Sequence, residues 1–364
     1  MKKLEKVNTM TKEKKQPPAV INTTSTTDLK DDHFNNKQLS LFQAFLGNTP
    51  QDLDQASNSI ELWDSIPRFS VTYKGMAKLR DKNGYLGIYK AAFQYRGIPL
   101  ELVIQPALIE RKKDGKVYTE SFYPGASEEL VEEALRKIAA IQNQGFHESQ
   151  KRTGVVFTLY QLREELKSRG HTRSYAEIVQ SLNILSLSII EISGGDKKNK
   201  SFARSAYFPA MSGVTREDLA EDPNARWHVQ FHPLVTESLD KLTYRQFNYQ
   251  KLMAHSTQLA RWLHKLLVNK WTNASMMHDF KIHYSTIKRD SAMLEFIARE
   301  RQAIQSVDYS MNELKEQKIL SKILREPVKG NKNKIIDVIY HLYPTAQFIA
   351  EVKAANARVR DSKE

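Results

Sequence analysis

The sequence predicts an α+β fold with two similar units in tandem behind a disordered N-terminal arm. In the first unit, from Thr158 to Tyr207, two helix-capping patterns are followed by a β-rich run and a lysine-rich turn. The chain after Lys251 repeats this order of helix, helix and basic-tipped hairpin. That is the order of a winged helix, which lays one helix in the major groove of DNA. We therefore expect two tandem winged-helix domains, over residues 61–240 and 241–350.

The first helix of the first unit carries a start signal and a stop signal. Thr158-Leu-Tyr-Gln161 has the spacing of a capping box, in which each side chain satisfies a free backbone N–H. Leu159, Leu162 and Leu166 recur at helical spacing, and Gly170 is placed to end the helix. These features predict a short amphipathic helix that ends just before Gly170.

A second helix follows at once. Ser174-Tyr-Ala-Glu177 is another capping box, and Ile178, Leu182 and Leu185 then share one face. Two short helices joined by a tight turn favour a helix-turn-helix. The same pattern also occurs in α+β domains that never bind DNA, so this stretch alone leaves both readings open.

The first hairpin is predicted to have a lysine-rich tip. The strands are expected over residues 187–192 and 202–208, on either side of the turn Gly194-Gly195-Asp196. The tip lysines, which we expect to contact phosphates, are Lys197, Lys198 and Lys200.

Composition narrows the class of protein. The 364 residues include 40% hydrophobic residues, enough to fill two or three domain cores. A net charge of +13 and a pI of about 9.5 favour a polyanionic partner, although ribosomal or anionic-membrane partners share that signature. The absence of cysteine excludes disulfides, thiolate metal sites and cysteine nucleophiles. No apolar run reaches the ~18 residues of a membrane span, and residues 1–30 lack the core of a secretory signal, so we expect a cytoplasmic protein.

Residues 1–60 are predicted to form a disordered basic arm, because they contain almost no periodic apolar residues. One hydrophobic cluster interrupts the arm: Gln38, Leu39, Ser40, Leu41 and Phe42. This peptide either docks onto its own domain or acts elsewhere. It resembles the bacterial sliding-clamp-binding peptide Gln-Leu-Ser/Asp-Leu-Phe. The resemblance implies that Gln38 hydrogen-bonds at one subsite while Leu41 and Phe42 fill an apolar pocket.

Globular sequence begins near Trp63. Strand-like runs occupy residues 85–95, 98–109 and 117–123, and the last of them follows the lysine-rich turn 112–116. Ser127 is placed to cap a helix. The buried stripe of that helix is expected to be Leu130, Ala134, Leu135, Ile138 and Ile141.

A strand is predicted from Trp227 to Phe231, with His228 and His232 four residues apart. That spacing differs from the His-hydrophobic-His motif of nicking enzymes, and no acidic residue is placed nearby to complete a metal site. We therefore predict no metal site here.

The second unit begins with an amphipathic helix from Leu252 through Leu267. Its polar face is expected to carry His255, Arg261, Lys265 and Lys270. A short strand from Phe280 to Tyr284 comes next, and then a short helix from Ser285 to Ala292. That helix carries two candidates for phosphate contact, Lys288 and Arg289.

A long helix is predicted from Glu295 to Gln317. Its buried stripe is expected to be Phe296, Ile297, Ile304, Val307, Met311 and Leu314. The opposite face carries Arg301, Gln302, Gln305 and Tyr309, with Arg299 at its margin. Arginine and glutamine are residues that read guanine and adenine edges, so we predict base contacts, against the alternative of an ordinary solvated face.

A second basic hairpin follows, with strands predicted over residues 319–324 and 334–342. The lysines expected at its tip are Lys329, Lys332 and Lys334. Residues 351–364 are predicted to form a polar tail with a frayed helix.

Taken together, residues 38 to about 345 resemble the plasmid replication initiators of the iteron-binding, TrfA-like tandem winged-helix family. The resemblance rests on the peptide 38–42 and on the order of the two units. It implies that the C-terminal winged helix reads repeated origin sequences (iterons), while the first reads adjoining DNA and mediates dimerisation in a monomer–dimer equilibrium. It implies as partners double-stranded origin DNA, the single-stranded DNA of the opened origin, the sliding clamp, and the host initiator and helicase. Carried over, Arg301, Gln302 and Gln305 would read base edges, and the weaker candidates in the first domain are Ser174, Tyr175, Gln180 and Asn183.

Such an initiator needs no cofactor and no catalysis. The stretch from Gly194 to Ser201 superficially resembles a phosphate loop, but Asn199 stands where that loop needs glycine. A tyrosine-dependent nickase is disfavoured by the missing metal motif. A winged-helix transcriptional repressor remains the alternative, and the peptide 38–42 separates the two because a repressor has no use for the clamp. The resemblance places the protein in the bacterial cytoplasm, encoded on a plasmid.

Overall fold

The computed structural model describes residues 59–143, 154–195, 200–213, 225–235, 247–331 and 334–361. These residues form two units, each around its own hydrophobic core. The first core draws mainly on residues between Leu62 and Met253, and the second on residues between Leu259 and Val352.

Two helices and a hairpin open the first unit: α1 (Ser59–Ser65), α2 (Tyr73–Leu79), β1 (Tyr89–Tyr95) and β2 (Ile98–Gln105). Strands β1 and β2 lie within the first two strand-like runs of the sequence and pair in antiparallel fashion around Arg96-Gly97. Both turn residues have positive φ, at 49° and 80°, which matches the twist of a two-residue hairpin.

The strand predicted over residues 98–109 is in fact divided by Pro106, which has no N–H to continue a ladder. Its second part is β3 (Ala107–Lys113), which pairs with β4 (Lys116–Phe122) as a separate two-stranded sheet. We refer to these strands and their turn, Asp114-Gly115, as the β3–β4 hairpin.

The helix-turn-helix of the first unit is present. It consists of α4 (Leu159–Ser168) and α5 (Tyr175–Leu187). These two helices follow α3 (Ala126–Asn143) and β5 (Gly154–Thr158). The Thr158 hydroxyl accepts the N–H of Gln161, and Ser174 and Glu177 form the reciprocal capping box. The positions predicted to be buried, such as Leu166 on α4 and Ile178 on α5, lie in the first core.

The basic hairpin after α5 consists of β6 (Ile189–Gly195) and β7 (Lys200–Ala206). It extends a four-stranded sheet in the order β1-β2-β6-β7. Strand β5 pairs instead with β9 (Arg226–Gln230), which also pairs with β8 (Ala210–Ser212). The first unit is therefore a winged helix whose leading strand, β5, pairs in a separate sheet and not with the β6–β7 hairpin.

The second unit has the simpler arrangement. Its elements are α6 (Tyr249–Met253), α7 (Gln258–Lys270), β10 (Phe280–His283), α8 (Tyr284–Ser291), α9 (Glu300–Glu316), β11 (Leu320–Lys329), β12 (Ile335–Pro344) and α10 (Ala346–Asp361). One sheet joins the leading strand to the hairpin, in the order β10-β12-β11. Helix α10 packs Phe348 and Val352 into the second core, so it crosses the boundary predicted at residue 350.

Two predicted helices of this unit start later than expected. The single helix from Leu252 is divided at residues 254–257, because the backbone N–H groups of Ser256 and Thr257 donate to Glu313 of α9. Thr257 then caps α7. Helix α9 begins at Glu300, not at Glu295. Phe296 packs instead against Gly75 of the first unit, where an added Cβ would lie 2.9 Å from the Phe296 ring.

The polar face predicted for the first helix of this unit is buried between the units. Arg261 Nη2 lies 2.9 Å from Glu129 Oε2, and Lys265 Nζ lies 2.5 Å from Glu133 Oε1. Glu129 and Glu133 belong to α3 of the first unit. Arg261 and Lys265 of α7 therefore join the two units and do not face solvent, whereas Lys270 at the end of the helix is exposed as predicted. Within the described ranges, no helix is both long and apolar enough to cross a membrane.

Candidate nucleic-acid interface

The outward face of α9 is the strongest candidate for reading DNA. Arg301, Gln302 and Gln305 are exposed, and the side chain of Tyr309 is 58% exposed. The opposite face is buried in the second core through Ala303, Ile304, Val307, Met311 and Leu314. The four polar side chains therefore share one surface, as their spacing predicted, and Arg301 forms no ion pair with any described residue. Their contact with bases remains a prediction.

Arg299 lies at the N-cap of α9 and not on its helical face. Its φ of −106° and ψ of 119° are extended, and its carbonyl accepts the N–H groups of Gln302 and Ala303. The side chain is exposed and makes no capping hydrogen bond. Arg299 is thus placed beside the positive end of the helix dipole, a position suited to a phosphate as much as to a base.

Helix α9 is held in place by several polar contacts besides its core, among them the following three. Asp308 accepts a hydrogen bond of 2.7 Å from the Tyr340 hydroxyl on β12. The Glu313 carboxylate accepts the backbone N–H of Ser256 at 2.7 Å. The hydroxyls of Thr257 and Ser310 lie 3.1 Å apart. Sequence reasoning missed Asp308 and Glu313, because their partners lie elsewhere in the chain.

The two cations of α8 already have acidic partners. Lys288 Nζ lies 2.8 Å and 3.0 Å from the two carboxylate oxygens of Glu300, and this hydrogen bond lowers the pKa of Glu300. Arg289 makes two hydrogen bonds to Asp290, at 2.7 Å and 2.9 Å. Asp290 is buried and also accepts the N–H of Gln94 in the first unit. Arg289 therefore has a fixed structural partner, whereas the Lys288 pair is half-exposed and open to exchange for a phosphate.

The β11–β12 hairpin presents Lys329 and Lys334 at its tip, both exposed. Lys332 lies outside the described residues. Asp337, on β12, ties the hairpin to the start of α8: it accepts the N–H of Ser285 at 3.0 Å and the Ser285 hydroxyl at 2.7 Å. The hairpin is therefore anchored to the start of α8, and Tyr340 of β12 joins it to Asp308 of α9.

His341 lies further along β12, between two carboxylates. Its Nδ1 lies 2.6 Å from Asp279 Oδ2, and its Nε2 lies 3.2 Å from Glu326 Oε2. These hydrogen bonds raise the pKa of His341. At the base of the second wing, His341 therefore joins β12 to Asp279 and to Glu326 of β11. These hydrogen bonds weaken when the imidazole loses its proton.

In the first unit, the outward face of α5 is less open than that of α9. The Ser174 hydroxyl is occupied in the capping box, donating 2.8 Å to Glu177. Tyr175 is half-buried beneath the guanidinium of Arg163, 4.9 Å from its ring centre. Gln180 and Asn183 are half-buried on the outward face, and among the described residues their side chains have no hydrogen-bond partner.

The predicted tip of the first hairpin lies largely outside the described residues, which exclude Lys197 and Lys198. Lys200 begins β7 and pairs with Gly195 on β6. The antiparallel pairing of β6 and β7 agrees with the interpretation of this stretch as a wing, because a phosphate loop would lead from a strand into a helix. The clamp-like peptide from Gln38 to Phe42 likewise lies outside the described residues.

The histidines of the β9 region have a structural role. His232 is 3% exposed and stacks on Trp63, with ring centres 4.4 Å apart. Burial lowers the pKa of His232 to about 3, so it is neutral at physiological pH. His228 is half-buried. No metal-binding cluster of histidine and carboxylate side chains occurs in the part of the chain that the structure describes.

These features define an α+β protein of two tandem winged-helix units with an exposed Arg/Gln helix face in the second. No family model and no curated protein sequence matches the chain. Several solved structures are similar to it, among them the following three. The crystal structure of selenomethionine derivatives of domains 2 and 3 of RctB has 11% identity and a TM-score of 0.47 over 73% of this chain and 94% of that one. A second structure of RctB domains 2-3 has 11% identity and a TM-score of 0.45 over 76% of this chain and 97% of that one.

The third similar structure is that of the Pi initiator protein in complex with iteron DNA. It has 12% identity and a TM-score of 0.39 over 60% of this chain and 94% of that one. All three likenesses are remote.

Proposed function

We propose that this chain is a plasmid replication initiator that binds repeated origin DNA sequence-specifically, promotes opening of the origin and recruits host replication proteins. One observation carries the proposal: the exposed Arg301, Gln302 and Gln305 face of α9, presented beside a lysine-tipped hairpin. In a winged helix, this is the helix that enters the major groove.

Base reading is the role that these side chains suit. An arginine donates two hydrogen bonds to guanine O6 and N7, and a glutamine makes a bidentate pair with adenine. Specificity also requires a rigid platform, since a mobile helix would lose conformational entropy on binding. Helix α9 has that platform in its buried stripe and in the contacts of Asp308 and Glu313.

Phosphate binding would come from the cations around α9. Lys329 and Lys334 are exposed at the wing, and Lys288 can exchange Glu300 for a phosphate oxygen because the present pair is half-exposed. The net charge of +13 adds a long-range attraction to DNA. These contacts position the protein on the duplex, and the face of α9 supplies the sequence preference.

The later steps of initiation are proposed from the resemblance of the sequence. The peptide Gln38–Phe42 would bind the bacterial sliding clamp. The host initiator and helicase, the single strand of the opened origin and a monomer–dimer equilibrium belong to the same proposal.

Protection mapping tests the proposal directly. The full chain would be footprinted on the DNA around its own gene. We expect regularly spaced repeats with one protected segment each. A single isolated footprint at a promoter would favour the repressor instead, and a uniform weak protection would remove sequence-specific binding altogether.

A further inference from the structure

The β3–β4 hairpin has no role in the interface described so far, yet it packs beside the candidate reading helix of the first unit. Its turn residues Asp114 and Gly115 have φ of 51° and 75°, so it is a tight two-residue hairpin. The pairing register puts alternate residues on the same face. One face carries Ala107, Ile109 and Arg111 on β3 with Phe122, Glu120, Tyr118 and Lys116 on β4.

The base of this face is fixed against α5. Ala107, Phe122 and Ile184 of α5 form a small buried cluster, and Ile109 packs against it. At 100° per residue, Ile184 lies only about 40° around α5 from the outward-facing Gln180. The hairpin therefore flanks the outward face of α5 and lies along one side of it.

Beyond its base, the hairpin becomes strongly basic. Four cations and one carboxylate occur between Arg111 and Lys116. Lys112 and Lys116 are exposed, and neither forms an ion pair with another described residue. Glu120 is the carboxylate nearest the base of the hairpin. It lies 3.7 Å from Arg111 and 3.3 Å from Arg80, so it does not neutralise the lysines at the tip.

The reach of the hairpin suits a duplex. From Ile109, the last residue packed on the α5 cluster, to Lys113 the strand rises by about 13 Å. A DNA segment facing α5 would bring its phosphates within range of long, flexible lysine side chains at the tip. Phosphate contacts of this kind fix the register of a protein on DNA.

We propose that the β3–β4 hairpin is an additional DNA-binding element, in which the tip lysines contact the phosphate backbone beside α5: Lys116 from the face that packs toward α5, and Lys112 from the opposite face, close to the turn. This rests on the proposed function, because it requires that the first unit face DNA. The other face of the hairpin exposes Leu108 by 58% and Val117 by 64%, which a protein partner would cover. The concentration of cations at the tip, on the flank of α5, favours DNA.

The test compares full-length Lys112→Ala/Lys116→Ala with the charge-matched control Lys270→Ala/Lys353→Ala, whose lysines are exposed on α7 and α10. Affinity for a random-sequence duplex would be measured as a function of salt. We expect the hairpin variant to lose about three- to ten-fold in affinity per lysine near 0.1 M salt, with a salt slope lower by about 0.9 for each lost contact. Lys112→Arg/Lys116→Arg should bind like the wild type.

Several results would overturn the proposal. An unchanged salt slope in the Ala variant, with the footprint on specific DNA intact, would end the hairpin claim and leave the initiator proposal standing. A changed sedimentation coefficient with unchanged DNA affinity would assign the hairpin to a protein contact. If the wild-type chain bound no duplex DNA, both proposals would be wrong. Equal melting temperatures for the two Ala variants would show that a loss of binding does not reflect unfolding.

Discussion

Arg301 lies on an exposed helical face, with no acidic partner among the described residues and a rigid helix beneath it. Its guanidinium is therefore free to form a bidentate pair with a guanine edge. Gln302 and Gln305 lie on the same surface, so the three side chains would read neighbouring base pairs.

Replacing Arg301 by alanine should weaken binding to the specific site by about 1–3 kcal/mol and relax the preference at one base position. The measurement is competition binding against duplexes carrying each base at each position. Lys270→Ala, at the exposed end of α7, which packs against the buried side of α9, serves as the control. An equal loss on random DNA would show that Arg301 contacts only phosphate.

We expect His341 to make the stability of the second wing depend on pH. Its pKa is raised by hydrogen bonds to Asp279 and then to Glu326. A group with a raised folded-state pKa contributes stability that is complete below its unfolded pKa and is lost as pH rises through the folded pKa. The free energy of unfolding should therefore fall more steeply in the wild type than in His341→Gln as pH rises from about 6.5 through the folded-state value. Urea denaturation across that range provides the measurement, and parallel curves for the two proteins would contradict the assignment.

At the scale of elements, the contact between α3 and α7 joins the two units through buried charge. Arg261 and Glu129 have side chains only 3% and 5% exposed, and Arg261 also donates 3.0 Å to the carbonyl of His255. A buried carboxylate that loses its partner is costly, whereas replacing both charges by apolar side chains is often neutral.

Arg261→Met should therefore destabilise the protein by about 3–5 kcal/mol, and the double variant Arg261→Met/Glu129→Leu should recover most of that loss. The free energies of unfolding of the four proteins form a double-mutant cycle. Additive effects of the two changes would mean that the ion pair does not couple the units.

The clamp-like peptide is proposed to act independently of the two winged helices. Leu41→Ala/Phe42→Ala should abolish clamp pull-down and plasmid replication while duplex binding stays at the wild-type level. Gln43→Ala, just outside the five-residue peptide, is the matched control. Replication that persists in the double variant would exclude clamp recruitment by this peptide.

At the scale of the whole molecule, two basic winged helices on one chain should make DNA binding strongly salt-dependent. Each phosphate neutralised adds about 0.9 to the slope of log affinity against log salt concentration. A steep slope is therefore expected for the full chain, measured by titration of a labelled duplex at several salt concentrations. A flat response would contradict phosphate binding by the wings.

The orientation of the two units also belongs to this scale. Arg261 and Lys265 of α7 enter an acidic surface on α3, and Phe296 packs on Gly75. Because these contacts are buried, the two candidate reading helices would meet the duplex at a fixed spacing. Sequence preference would then depend on the distance between the DNA segments as well as on their bases.

The sequence by itself determined the elements whose signals are local. The N-cap at Thr158, the capping box at Ser174, the apolar stripe of α9 and its opposite Arg/Gln face all rest on contacts within a few residues, which a helical or strand period reveals. The order of helix, helix and hairpin in both units followed from the same signals.

Only the tertiary structure decided which elements meet. The pairing of β5 with β9, the packing of the β3–β4 hairpin on α5 and the late start of α9 depend on residues distant in the chain. Arg261 and Glu129 are 132 positions apart, and an isolated polar residue on a helix gives no sign of a buried partner. Local periodicity specifies which face of an element is apolar, but the identity of the surface that covers it depends on packing across the whole chain.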